Sequence, residues 1–353
     1  MADLVETTPL AGRDRIRDRT VIRGWLNLVA VMIVVMIAVG GATRLTDSGL
    51  SITEWQPVEG AIPPLSDSDW REAFARYQQI PEFRLVNPHM TLAEFRTIYW
   101  WEWAHRFLGR LIGIVVLLPM VVFWATGRLE PALKLRMVAL FLIGGLQGAV
   151  GWWMVASGLT ARTDVSQVRL AVHLGLAAAI LAYVVWLARG LVPARAANGE
   201  GRAPASAPAL IVALTLVQIF AGGLVAGLDA GLTFNTWPLM DGGLVPSGVL
   251  AQSPWWRNLF ENAATVQFGH RLVAYLLLAA AIAHAIRARR TAVAKGASAL
   301  AAIVALQAAI GVATLLTAVP LPLALMHQLG AVAVLVVAVR HLRAMRPPLA
   351  AVP

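Results

Sequence analysis

The chain contains no cysteine. That excludes disulfides, iron–sulfur clusters and thiolate metal sites within it. Charge is scarce as well. Asp, Glu, Lys and Arg make up 14% of its 353 residues against 58% hydrophobic ones, and mean hydropathy is +0.68. Soluble domains carry about a quarter charged residues, so a soluble fold is excluded.

What replaces charge is a series of long apolar runs: Trp25–Thr43, Trp103–Thr126, Met137–Leu159, Leu170–Leu187, Ala207–Leu228, Val266–Ile286, Ala297–Leu316 and Leu321–Val339. Each has about the length needed to cross a bilayer. Backbone polar groups in lipid must be satisfied within their own segment, so the runs predict eight transmembrane helices and an all-α membrane protein. The first run follows a basic start and ends in small residues, as a cleaved signal does. It is long for that purpose, and the repeat described below argues that it is retained.

The net charge of +10 would raise nucleic acid as a partner in a soluble protein. Here the basic residues fall in alternate loops instead. They cluster at Arg13, Arg15, Arg17, Arg19 and Arg23, then at Arg128, Lys134 and Arg136. Further clusters are Arg189, Arg195 and Arg202, then Arg287, Arg289, Arg290 and Lys295, and finally Arg340, Arg343 and Arg346. The positive-inside rule places these segments and both termini in the cytoplasm of a bacterial inner membrane, with the lipid bilayer as partner and no nucleic acid.

Self-similarity divides the chain into two halves. Asp47-Ser-Gly-Leu-Ser-Ile-Thr-Glu-Trp55 aligns without a gap on Asp229-Ala-Gly-Leu-Thr-Phe-Asn-Thr-Trp237, and each follows a run ending in a Gly pair, Gly40-Gly41 or Gly222-Gly223. Trp101-Glu-Trp-Ala-His105-Arg106 mirrors Val266-Gln-Phe-Gly-His270-Arg271. Gln147…Gly151 mirrors Gln307…Gly311, and the segment at His173 mirrors that at His327. Four helices per half predicts two homologous four-helix bundles, related by a pseudo-two-fold along the membrane normal. The expected layout is a tail over 1–24, a first half over 25–189 with a long outer loop at 44–102, and an inner linker over 190–206. A second half over 207–340 and a tail over 341–353 complete it. Within the long loop, one helix is expected from Ser66–Asp67 to about Gln79. A second begins at Thr91, where Thr91 and Glu94 form a capping box, and runs on into the membrane. Trp100, Trp101, Trp103, Trp255 and Trp256 stand where helices enter the bilayer, as interfacial aromatics do.

The chain has seven histidines. His105, His173, His270 and His327 lie near the outer ends of the second, fourth, sixth and eighth runs, two per half at equivalent positions. An imidazole inside a bilayer is costly and usually functional. Paired on facing helices, two can hold a haem iron, and no carboxylate cluster nearby suggests a hard metal. Gly109, Gly269 and Gly330 leave room for a flat macrocycle. The competing reading is four interfacial histidines bonded to backbone or water; repetition at one depth weighs against it. His284 and His341, beside arginines at the inner ends, are expected at the headgroup surface. His89 sits in the outer loop with no visible partner.

Glu102 shares a helix face with His105, three residues on. The second half has Gln267 there, so the halves differ beside a candidate ligand. Its alternative role is a structural pair with Arg106. Arg106 and Arg271 each follow a histidine and suit haem propionates, or else lipid headgroups. Glu54, matched by Thr236, is the weaker acidic candidate.

Taken together, these residues resemble the haem A synthase family over essentially the whole membrane region. The resemblance rests on Glu102-x-x-His105-Arg106, His173, Gly269-His270-Arg271, His327, and the outer loop Gly49-Leu-Ser-Ile-Thr-Glu-Trp55, in a form similar to the alphaproteobacterial and mitochondrial type. It implies oxidation of a methyl group of haem O to the formyl group of haem A by successive hydroxylations, for cytochrome oxidase biogenesis. It further implies haem B as cofactor on His270 and His327 with Arg271. Haem O as substrate would lie between His105 and His173 with Arg106, and Glu102 would be the catalytic base. Homo-oligomers, contact with haem O synthase and an unnamed redox partner are also implied. Cysteine pairs found in some members are absent here. The alternative is a one-sided di-haem b-type cytochrome or quinol oxidoreductase. A transmembrane electron shuttle is disfavoured because all four histidines lie on one side, and a transporter because such sites lie near the midplane on broken helices.

The lack of native cysteine makes the topology directly testable. Ser247→Cys is expected to react with an impermeant maleimide in intact spheroplasts. Thr291→Cys is expected to react only after lysis; the reverse pattern inverts the chain.

Overall fold

The computed structural model describes residues 9–191 and 205–346, with side chains from residue 15 onward. Eight helices are long and apolar enough to cross a membrane. They are α1 (Pro9–Leu45), α2 (Leu92–Ala125), α3 (Pro131–Val155), α4 (Gln167–Gly190), α5 (Ser206–Gly227), α6 (Ala263–Ala288), α7 (Ala294–Leu316) and α8 (Leu321–Ala344). Each apolar run lies wholly or largely within one of them. Helix α1 starts well before its run and takes in the basic stretch, where Arg19 forms a two-bond ion pair with Glu130 of the α2–α3 loop. Most of the expected linker, residues 192–204, lies outside the described residues, as do 1–8 and 347–353. Large apolar side chains such as Leu118, Leu142 and Leu306 stay about 60% exposed. On a soluble protein such a belt would be an aggregation surface; against lipid tails it is the required surface.

The helices close into two rings. In the first, α1 packs on α2, α2 on α3, α3 on α4, and α4 back on α1. In the second, α5, α6, α7 and α8 repeat that order. The seam uses α4 against α5 and α8, and α1 against α8. Its packing centre joins Leu26, Ile33 and Ile37 of α1 with Leu181 and Val184 of α4, Ile219 of α5 and Leu335 of α8.

At the outer end of the seam, one arginine gathers three loops. Arg44 pairs with Asp47, Asp164 and Asp229 at 3.1, 2.8 and 3.3 Å and donates to the Ala226 carbonyl. Asp47 and Asp229 are repeat equivalents, and both have left-handed backbone, φ 48° and 47°. Aspartate tolerates this region better than most residues.

The long outer loop folds as a cap over the first ring. Ser66 and Asp69 make a reciprocal capping box for the helix Asp67–Tyr77, and Thr91 and Glu94 make another for α2. Helix α2 thus begins in the loop and continues without a break into the membrane, as the pattern at Thr91 requires. A five-residue helix, Pro81–Leu85, is an addition that the sequence did not suggest. Tyr77, Phe95, Trp70 and Tyr99 form the cap's aromatic core, with Trp70 and Tyr99 edge-to-face at 5.0 Å.

Glu82 of the added helix is 5% exposed, and its Oε2 has no hydrogen-bond partner among the described residues. Burial first, then the nearby charges of Asp47, Glu102 and Asp164, push its pKa up to about 8, against a smaller opposing pull from Arg44. A carboxyl whose folded pKa is raised binds its proton more tightly when folded, so it weakens the fold as pH rises from its unfolded value of about 4.5. Glu82→Gln is therefore expected to raise the melting temperature in detergent by an amount near zero at pH 4.5. The gain should grow toward pH 8 and level off above it; a gain independent of pH would place the effect elsewhere.

Candidate haem sites

The four outer histidines occupy diagonal corners of the rings. His105 of α2 faces His173 of α4 across the first ring, and His270 of α6 faces His327 of α8 across the second. The flanking helices offer each ring a glycine. A Cβ on Gly40 (α1) would meet His105 at 2.9 Å, and one on Gly151 (α3) would meet His173 at 2.9 Å. In the second ring, Gly222 (α5) and Gly311 (α7) stand against His270 and His327 at 3.3 and 2.6 Å. Alanine at Gly40, Gly151 or Gly311 would force its imidazole to move.

The ring centroids of His270 and His327 are 6.5 Å apart. A different pair shows what direct contact looks like. His284 and His341 have centroids 5.1 Å apart and an Nε2–Nε2 hydrogen bond of 2.9 Å. His270 and His327 stand farther apart than that and share no direct hydrogen bond among the described residues, so their ring nitrogens would be free to hold a haem iron.

Three of the four histidines carry a glutamine one turn from the glycine. Gln147 Nε2 lies 3.1 Å from His173 Nδ1 and donates to the His173 carbonyl at 3.0 Å. Gln307 does the same to His327, at 3.0 and 2.7 Å. Gln218 Nε2 lies 3.2 and 3.1 Å from the two ring nitrogens of His270. The Oε1 atoms of all three are buried and without a partner among the described residues. An imidazole that gives one nitrogen to a metal presents an N–H on the other, and it needs an acceptor there. Spare amide oxygens beside three ligand candidates fit haem iron, as do the glycine cradles. The sequence displayed Gln147 and Gln307 as repeat marks but not Gln218, and their role became visible only when the helices were set face to face.

The arginines reproduce one bonding pattern in both halves. Arg106 Nη1 and Nη2 donate to the carbonyls of Glu54 and Ile52, at 2.8 and 2.7 Å. Arg271 Nη1 and Nη2 donate to those of Thr236 and Phe234, both at 2.9 Å. These carbonyls are repeat equivalents. Each arginine thus fastens the first stretch of an outer loop over its site. Glu102, 2% exposed, completes the first version. Its Oε1 accepts Arg106 Nε and Nη2 at 3.0 and 2.6 Å; its Oε2 accepts Ser51 Oγ and Ile52 N, each at 2.7 Å. In the second half Gln267 donates to the Phe234 carbonyl, and both Gln267 Oε1 and Arg271 Nε lack partners among the described residues. That leaves Arg271 with a buried spare donor, and the residue lines a cleft together with Pro238, Phe268, Leu272 and Tyr275. Arg106 spends its Nε on Glu102.

Residues 23–339 match the family model described as cytochrome oxidase assembly protein, COX15-CtaA. The chain belongs to this family. It is 53% identical over 345 residues to heme A synthase of Brucella ovis, covering 95% of this chain and 94% of that protein. Heme A synthase of Brucella abortus strain S19 matches to the same extent, and that of Brucella anthropi is 52% identical over 338 residues, 93% of each chain. Within this cytochrome oxidase assembly family, the chain is a multi-pass membrane protein whose two helix rings each carry one diagonal pair of histidines at the same end of the helices.

The inner histidines depart from expectation. His284 and His341 are 4% and 8% exposed, and they bond each other inside the second ring rather than reaching headgroups. The neighbouring arginines misled because helix ends were read without their rotational phase. Gly296 of α7 makes room for the His341 ring. His89 is exposed, and Glu54 is an exposed loop residue whose side chain bonds Gln56. Losing one member of the inner pair strands the other. His284→Ala is expected to cost about 1–3 kcal/mol of stability, whereas a double change to Leu recovers most of it. Haem content should be equal in all three proteins, and a loss of haem in the double variant would contradict a purely structural pair.

Proposed function

We propose that the chain converts haem O to haem A, oxidising one ring methyl to a formyl group through successive hydroxylations. The observation that carries this is the unequal repeat. Two matching pairs of histidines stand at one depth in one chain, and only the first has a buried carboxylate beside it. The relatives named heme A synthase cover nearly the entire chain, which supports the same reading.

In this reading His270 and His327 hold haem B, and His105 and His173 hold haem O on the side of the carboxylate. Haem B, when bound, supplies one-electron redox chemistry. The protein's own contribution is position and proton handling. Gln218 and Gln307 fix the rings of one pair, and Gln147 fixes His173. Arg271, with its spare Nε–H, suits a propionate, since guanidinium pairs well with carboxylate. Arg106 takes the lesser share of propionate binding because Glu102 and two loop carbonyls already engage it.

Glu102 is held by four hydrogen bonds from Ser51, Ile52 and Arg106, in all of which its oxygens accept. As electrons leave the substrate methyl, Glu102 takes the released proton, and Ser51 and Arg106 keep the carboxyl in place between turnovers. The same bonds also hold the outer loop over the site. The haem sites lie toward the outer face of a bacterial inner membrane, with both termini cytoplasmic. Partners on this reading are haem O, a redox partner, haem O synthase and further copies of the chain.

Haem extraction and chromatography of wild type and Glu102→Gln test the proposal. Wild type is expected to carry haem B with haem O or haem A. The variant is expected to accumulate haem O or a hydroxylated product, with haem A reduced by about 100-fold or more, the usual scale for a general base. If both proteins hold two haem B per chain, with no O or A when haem O is supplied, the one-sided di-haem cytochrome is the better account.

A further inference from the structure

An enzyme that reads as this one does must keep one haem for many turnovers and release the other every time. The two sites match in their histidine pairs, in cradling glycines and in loop-fastening arginines. Something else has to make one of them leaky.

The glutamines show where the difference lies. Glutamine followed four residues later by glycine occurs on α3 (Gln147, Gly151), α5 (Gln218, Gly222) and α7 (Gln307, Gly311). On α1 the glycine is present as Gly40, yet the residue four before it is Met36. Gly40 stands against His105 as Gly222 stands against His270. Met36 therefore occupies the place of the amide that touches both ring nitrogens of His270. No side chain among the described residues hydrogen-bonds the His105 ring. Met36 instead turns its methyl toward the helix holding His105, where a Cβ on Gly109 would meet Met36 Cε at 3.2 Å. The second half has Ala274 in place of Gly109.

The register of α1 at this point is fixed from the other half. Gln328 of α8 donates to the Ile37 carbonyl at 2.6 Å, and its amide fills the space that a side chain on Gly41 would need. Met36 is thus held in its place by the seam and does not drift there.

A thioether donates no hydrogen bond and accepts only weakly, whereas an amide can serve either tautomer of an imidazole. Partners that hydrogen-bond a ligating histidine fix its ring and raise its basicity, and losing one costs about 10–100-fold in metal affinity. We infer that Met36, standing where the other three histidines have glutamine, leaves His105 an unsupported ligand and makes the first-half site the one that exchanges its haem. His173, with Gln147, remains the anchor there. His270 and His327, each with its own amide, retain theirs. The inference rests on the reading of two haem sites given above and adds which ligand lets go.

The test is haem transfer from the purified full-length protein in detergent to excess apomyoglobin. The proteins are wild type, Met36→Gln, Met36→Leu, Gln218→Met and His173→Ala. Wild type is expected to lose haem in two phases, with the fast phase absent from His173→Ala, which lacks the anchor of the first-half site. Met36→Gln should slow the fast phase roughly tenfold or more, and Gln218→Met should speed the slow one by a similar factor. Met36→Leu, which offers no donor or acceptor, should behave as wild type and serves as the packing control. The inference is overturned if Met36→Gln leaves the fast phase unchanged, if Met36→Leu slows it equally, or if the fast phase survives in His173→Ala. Chromatography of the transferred haem judges the synthase reading separately. Haem B in both phases would refute that reading, while the rates would still decide the role of Met36.

Discussion

The constraint on which this molecule depends is the close approach of an imidazole to a glycine on the neighbouring helix. Four times, a histidine near the outer end of one helix fits into the space where the adjacent helix has no side chain. In lipid there is little hydrophobic force between helices, so close packing at small residues decides how they associate. The glycines therefore serve two ends. They let α1 and α2, α3 and α4, α5 and α6, and α7 and α8 approach at these heights, and they give the imidazole rings their places. The diagonal arrangement of the histidines follows, because each glycine-bearing helix lies between two histidine-bearing ones in its ring.

On that common frame the halves differ in few side chains. The bonds from Arg106 and Arg271 reach equivalent carbonyls, and Asp47 and Asp229 turn the chain with the same left-handed backbone. Beside the histidines the contrasts include Glu102 against Gln267, Met36 against Gln218, Gly109 against Ala274 and Gln328 against Leu174. The first three of these pairs lie on or beside α2 and α6, the helices of His105 and His270. A frame that fixes the imidazoles by contact with backbone lets the side chains around them change without moving the rings.

Much of this was legible in the sequence. Hydropathy located eight helices because a bilayer imposes length and apolarity with little tolerance. The capping-box pattern at Thr91 located the start of α2, since a reciprocal bond needs particular residues at one spacing, and a helix start was legible at Ser66–Asp67. The repeat delivered the four histidines and the Glu102–Gln267 contrast. Other features stayed hidden because they depend on which residues of different helices share a height and a face. His284 and His341 are 57 residues apart, and only packing shows that they bond. The amides of Gln147, Gln218 and Gln307 were in plain view as letters, but nothing in one dimension aims them at an imidazole. Glu82 is a polar residue in a polar loop until the aromatic cap closes over it.

The seam adds one further point about how two sites in one chain remain distinct and connected. Arg44 belongs to the first half yet binds Asp229 and the Ala226 carbonyl of the second. Gln328 belongs to the second half yet bonds the backbone of α1 beside Met36. Both residues are unmatched in the repeat, since their equivalents are Ala226 and Leu174. A pair of identical rings would have a symmetric seam. Here the bonds across it are made by residues that only one half possesses. Arg44 ties Asp47, at the start of the first half's long loop, to Asp229 in the second half, and Gln328 holds the turn of α1 that carries Met36. Asymmetry between the halves therefore extends from the side chains beside the histidines to the bonds across the seam.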